Sequence, residues 1–258
     1  MKPVGGFSLL VIPVVVMAAM VAAPVVFAET IRLRADNWFP VNGDPAAARP
    51  GYGIEVLSRV WSRYTLDYRL MPWARSLDAV RAGDADCVIG AFPGDAPDLL
   101  YPQQPLGTDG VGVYALQADS WTYDGVESLQ WRNVAVISEY SYGDVLDQWL
   151  ADPRNAIRIQ MAHGAEALEG NIRKLLAGRV DVLLESPMIM KNALRRLNLD
   201  HLVQLAGEGQ AAQPFYIACT PGNPRVAEWL EAFDQGVQGL KDSGEWGELL
   251  SRYGIEEQ

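Results

Sequence analysis

The stretch MPWARSLDAVRAGDADCVIGAF, residues 71–92, holds two side chains with chemistry to offer. Trp73 brings a flat apolar surface and Arg75 a permanent positive charge. A guanidinium presents a planar fork of N–H donors that pairs with a carboxylate through two hydrogen bonds, so Arg75 is a candidate for holding a carboxylated ligand. An arginine salt-bridged on the surface beside a helix start is the alternative. Glu185 closes the run DVLLES, after three aliphatic residues. A carboxylate in so apolar a segment is costly to bury without a partner, so it faces a cleft or meets a protein cation. Ser141, Tyr142 and Gly143 stand at the start of a helical pattern, where free backbone N–H groups suit an anion. Capping of that helix by Ser141 or Asp144 is compatible with the same residues.

These residues need elements to hold them, and the chain writes its elements twice. AVRAGDADCVIG and KLLAGRVDVLLE share Ala-Gly, two residues, Asp and an aliphatic run. Gly83 corresponds to Gly178 and Asp86 to Asp181, both at an offset of 95 residues (178 − 83, 181 − 86). Trp73, Leu77 and Val80 share one helical face, as do Ile172, Leu175 and Leu176. The two glycines stand where a helix ends in a left-handed residue. Cys87-Val88-Ile89 and Val182-Leu183-Leu184 read as short strands covered on both sides, as in a parallel sheet. Upstream, TIRLRADNWFP gives a strand and a loop, then a helix with Ile54, Leu57 and Trp61 inward. RNVAVISEYSYGDVLDQWL repeats the plan with Val145, Leu146 and Trp149 inward. Each half is strand, helix, strand, helix, strand, which predicts two α/β lobes with parallel-type sheets flanked by helices. The stretches around Ala118–Trp121 and Gly209–Pro214 are the expected crossings between lobes. The expected divisions are therefore 29–118 and 213–258 for the first lobe and 119–212 for the second, with the two crossings acting as a hinge.

Residues 1–28 differ in kind, with one early Lys, a long apolar run and Val26-Phe27-Ala28 at the end. Small residues at the last and third-last positions predict cleavage after Ala28 and export. An uncleaved anchor is the other reading of so long a run. Lys2 is the one charged residue removed, so the net charge goes from −11 to −12. Such a chain repels phosphate backbones and anionic lipid, which excludes nucleic acid as a natural partner. The two cysteines, Cys87 and Cys219, lie in apolar strand-like runs. They read as two buried thiols, with a disulfide open in an oxidising compartment. They and the two histidines, His163 and His201, lack metal-ligand spacing, and no cofactor motif is present. Gly110-Val111-Gly112-Val113-Tyr114-Ala115 matches a dinucleotide fingerprint but lies inside a strand-like run rather than at a strand-to-helix turn.

PWARSLDAVRAGDAD, YSYGDVLD, LLAGRVDVLLES and SGEWGELLSRYG, in this order, resemble the bacterial extracellular solute-binding proteins of family 3. These are the amino-acid-type periplasmic binding proteins of ABC importers. The resemblance covers essentially all of the mature chain. It implies a type II periplasmic binding fold that captures a small polar, amino-acid-like or carboxylated solute between its lobes, as a monomer. The implied partner is an inner-membrane ABC permease, or a sensor protein that reads the closed form. It implies that Trp38 stacks on the ligand, that the segment at Ala91 and Phe92 offers backbone groups, and that Glu185 meets an ammonium group. It would also set the strands of Cys87 and Cys219 side by side. Amino-acid binders of the family carry an Arg about a dozen residues after the Asp equivalent to Asp86. Here that region reads GAFPGDAPDLLYP, without one. Either Arg75 substitutes, or the ligand is not a standard α-amino acid. A lyase on the same fold, with Glu185 as general acid or base, is the alternative from another class.

Overall fold

The computed structural model describes Met1, residues 29–164 and residues 166–255. The expected export signal and its cleavage point lie outside the described residues, Met1 aside. Among the described residues no helix is long and apolar enough to cross a membrane.

The expected repeat is present. β1 (Thr30–Ala35), α1 (Tyr52–Val60), β2 (Thr65–Leu70), α2 (Trp73–Arg81) and β3 (Cys87–Ala91) wind the parallel set β2-β1-β3. After β4 (Gly107–Leu116), β5 (Val134–Ile137), α3 (Asp144–Ala151), β6 (Ile159–Ala162), α4 (Ala167–Leu176) and β7 (Val182–Glu185) wind β6-β5-β7 in the same way. Then follow α5 (Pro187–Leu197), β8 (Val203–Cys219), α6 (Val226–Ser243) and α7 (Glu245–Arg252). The full strand order is β2-β1-β3-β8-β4-β7-β5-β6. The sheet is therefore mixed. β8 runs antiparallel to β3 and β4, and β4 antiparallel to β7, because these two long strands carry the chain out and back.

The chain changes sheets inside β4 rather than at Ala118–Trp121. Gly107–Asp109 pair with Gln213–Phe215, while Gly112–Tyr114 already pair with β7. The register slips between, at Asp109/Val111. A strand can pass from one sheet to the next without a turn, and residues 118–121 lie just beyond the end of β4 at Leu116.

The repeated motif has the same physics in both copies. Gly83 and Gly178 have φ of 78° and 64°, the left-handed region where a side chain is strained. Asp86 accepts the backbone N–H of Arg32 at 2.8 Å, and Asp181 that of Asn133 at 2.6 Å. Both aspartates thus pin the adjoining strand.

The tail packs on the first half. Trp229 and Phe233 of α6 share a core with Ile31, Leu57 and Trp61, and Trp61 Nε1 donates to the Trp229 carbonyl at 3.0 Å. In α3 the expected inward face is only partly so. Leu146 is buried, but Val145 is 59 % exposed, because it sits in the first helical turn and faces the cleft described below. The cysteines correct the thiol reading. Cys87 and Cys219 stand opposite each other in the β3–β8 ladder and form a disulfide. Sequence shows two strands but not their register, and register decides the bond.

Candidate functional site

Two adjoining chambers open where β1, β3, β5 and β7 end, the place open α/β sheets present to ligands. The smaller has a volume of about 330 Å³ and the larger about 550 Å³. Asp36, Trp38, Trp73, Tyr140 and Glu185 line both, so these five form the shared wall.

Each member is placed by an element end. Asp36 and Trp38 follow β1, and the Trp38 ring meets Phe215 edge-on at 4.9 Å and Phe92 at 6.3 Å between centroids. Gly90, with φ of 90°, lets β3 pass that ring: a Cβ there would lie 3.1 Å from it. Trp73 is the first residue of α2. Glu185 is the last residue of β7, and Ser186 caps α5 by accepting the Ile189 N–H. The Tyr140 hydroxyl, after β5, donates to the Asp36 carboxylate after β1. That bond ties the loops of the two halves across the cleft.

Of the expected residues, Trp38, Trp73, Phe92, Ser141, Tyr142, Gly143 and Glu185 line the smaller chamber. Arg75 does not. It lies on the exposed side of α2, lines only the larger chamber, and has no ion pair or hydrogen bond among the described residues. Ala91 lines neither chamber. It is fully buried at the end of β3, in the cluster with Trp73 and Leu77.

The turn at Ser141–Gly143 is also not a vacant anion receptor. Asp147 reaches back to it, accepting the Tyr142 N–H at 2.8 Å and the Ser141 hydroxyl at 2.6 Å. Gly143 carries φ of 87°, and a Cβ on it would lie 2.3 Å from Gln210 Oε1.

The smaller chamber is acidic. Asp36, Asp95, Asp109, Asp144 and Glu185 line it, and no Lys, Arg or His does. Burial pushes Glu185 up to about 8; the Ser186 amide pulls it back, and Asp109 and Asp36 push it further up. Burial likewise raises Asp36, Asp95 and Asp109 to about 6, against hydrogen bonds from Tyr140, from the Phe92 amide and from Ser186 respectively. Glu185 Oε1 accepts the Ser186 N–H at 2.8 Å, while Oε2 has no partner among the described residues. Asp95 Oδ1 is buried and unpaired too. Among the described residues no set of three or more His, Cys, Asp or Glu side chains could hold a metal ion.

Asp36, Asp95, Asp109 and Ser186 are not among the residues the sequence singles out. Asp109 had a signal: an acid inside a strand-like run, TDGVGV, as Glu185 does in its own. Asp95 lies in the segment GAFPGDAPD, which drew notice only for the arginine it lacks.

No family model and no curated sequence matches the chain. Solved structures do. A histidine kinase sensor domain with similarity to periplasmic binding proteins superposes with a TM-score of 0.72 at 21 % identity, over 90 % of this chain and 99 % of that one. The fold is that of the periplasmic binding proteins. An ancestral arginine-binding protein bound to glutamine gives 0.70 at 16 % identity, covering 88 % and 98 % of the two chains. The substrate-binding protein of an amino-acid ABC transporter gives 0.67 at 14 %, covering 87 % and 99 %. At such identities the likeness establishes the two-domain periplasmic-binding-protein fold, with a mixed sheet and flanking helices.

Proposed function

We propose that this chain is a periplasmic solute-binding protein, exported by residues 1–28 and cut after Ala28, that closes two lobes over a small polar solute. One observation carries the reading. Glu185 is 3 % exposed, sits on the wall shared by both chambers, and leaves one carboxyl oxygen without a partner. An unpaired buried carboxyl is unfavourable unless something supplies the missing donor, and a bound cationic group does so. Trp38, Trp73, Phe92 and Tyr142 give that solute aromatic walls, and the neighbouring Ser141 and Gly143 close one side. The hinge lies in β4 and β8, where the chain exchanges sheets. The chain acts as a monomer without cofactor or turnover. It hands its solute to an inner-membrane ABC permease, or reports it to a sensor protein. Matches to both an importer's binding protein and a kinase sensor domain support this pair of partners.

The test is a thermal-shift screen of residues 29–258 against amino acids, amines, organic acids and small peptides. A solute that binds only the folded form adds RT ln(1 + [L]/Kd), about 2.7 kcal/mol at a hundredfold excess over Kd. At least one compound should raise the melting temperature, and Glu185→Ala should abolish the rise. A flat screen across all four classes would sink the proposal.

A further inference from the structure

We infer that the solute is an organic cation without a carboxylate: an amine or guanidine whose charged groups sit among Asp36, Asp95, Asp109 and Glu185. This rests on the solute-binding reading and specifies its ligand.

The smaller chamber offers no cationic side chain to an anion. None of its lining residues is a Lys, Arg or His. Of the helix starts on its wall, that of α3 already holds Asp147, which occupies the Tyr142 amide and the Ser141 hydroxyl, and that of α5 is capped by the Ser186 hydroxyl. A ligand carboxylate entering here would face carboxyls from five separate segments, and like charges at close quarters repel. A cation gains from the same groups. Glu185 Oε2 and Asp95 Oδ1 both lack hydrogen-bond partners, and N–H donors on the ligand supply them. Asp95 follows β3 and Glu185 ends β7, so the two vacancies come from opposite halves of the molecule. Two vacancies on opposite halves favour a ligand with two charged ends, and closing over it joins the halves. Trp38, Trp73, Phe92, Tyr140 and Tyr142 line the space between, and aromatic faces attract organic cations. A metal ion is the weaker occupant, because the acids do not converge into a ligand set. Arg75 stands in the larger chamber and takes no part.

The experiment compares pairs that differ by one carboxylate. Agmatine is set against arginine, and 1,5-diaminopentane against lysine, by calorimetric titration of the purified protein at pH 8. Agmatine or the diamine should bind about tenfold or more tighter than its amino acid. Glu185→Gln and Asp95→Asn should each weaken that binding at least tenfold while melting, without ligand, no lower than the parent. The comparison on the unmodified protein stands even where a variant fails to fold. Equal or tighter binding of the amino acids, lost in Arg75→Ala, overturns the inference and leaves solute binding intact. So does binding of anionic or neutral solutes alone. Binding of no solute of any class removes both.

Discussion

Glu185 shows what one buried carboxyl does to the balance of the protein. In the unfolded chain it titrates near 4, like Asp36, Asp95 and Asp109. In the folded protein burial raises it to about 8 and the other three to about 6. Between those values the folded state holds protons that the unfolded state has lost. The contribution is therefore full below about pH 4 and is lost as pH rises through 6 and then 8. Asp36, Asp109, Tyr114, Tyr140 and Tyr142 are the titratable groups coupled to Glu185. Ligand-free stability, followed by urea melts from pH 5 to pH 9, should fall with pH, and Glu185→Gln should remove the upper step. An unchanged profile in that variant would mean Glu185 is not the group. Gly143 makes a different point at the same scale. Its φ of 87° with ψ of 154° is a backbone conformation that residues with a Cβ rarely adopt, and the Gln210 side chain would have to move as well. Gly143→Ala should cost about 1–2 kcal/mol in the same melts.

Among the elements, the strand partners matter more than the strands. Asp86 binds the Arg32 backbone and, through two nitrogens, its guanidinium, and it also accepts from Asn223. It is almost fully buried, whereas Asp181, its repeat equivalent, is half-buried and bonds only Asn133. Asp86→Ala should therefore cost about 2–4 kcal/mol and Asp181→Ala about 1 kcal/mol, by urea melts. Equal losses would argue against the burial explanation. The Cys87–Cys219 disulfide closes a loop with a sequence separation of 132 residues. Replacing both cysteines by alanine should lower stability by about 3–5 kcal/mol through the freedom returned to the unfolded chain. The repeat, the strand–helix alternation and the glycine stops were legible because each is a local pattern. The β4 crossing was not, because a strand changing sheets carries the same alternation throughout.

For the whole molecule, the Asp36–Tyr140 bond is the contact that ties the loop after β1 to the loop after β5. Tyr140→Phe keeps the ring and removes the donor. Without ligand, small-angle scattering should then show a larger radius of gyration than the parent. Saturating ligand should bring the two together, since ligand contacts replace the lost bond. Identical ligand-free curves would mean that other contacts hold the halves.

By itself the sequence determined the two-fold plan and the aromatic residues Trp38, Trp73 and Phe92 at element ends, since periodicity and element ends are properties of neighbouring residues. It also pointed to Glu185, because a carboxylate after three aliphatic residues demands a reason. Only the tertiary structure decided what those residues meet. It put Arg75 in one chamber and Asp95 and Asp109 in another, filled the Ser141–Gly143 turn with Asp147, and joined Cys87 to Cys219. The chambers and the disulfide depend on register and on which loops converge, of which residues far apart in the chain carry no local record; the Asp147 contact is local, five and six residues from its partners, but which atoms it meets depends on the bend of the turn.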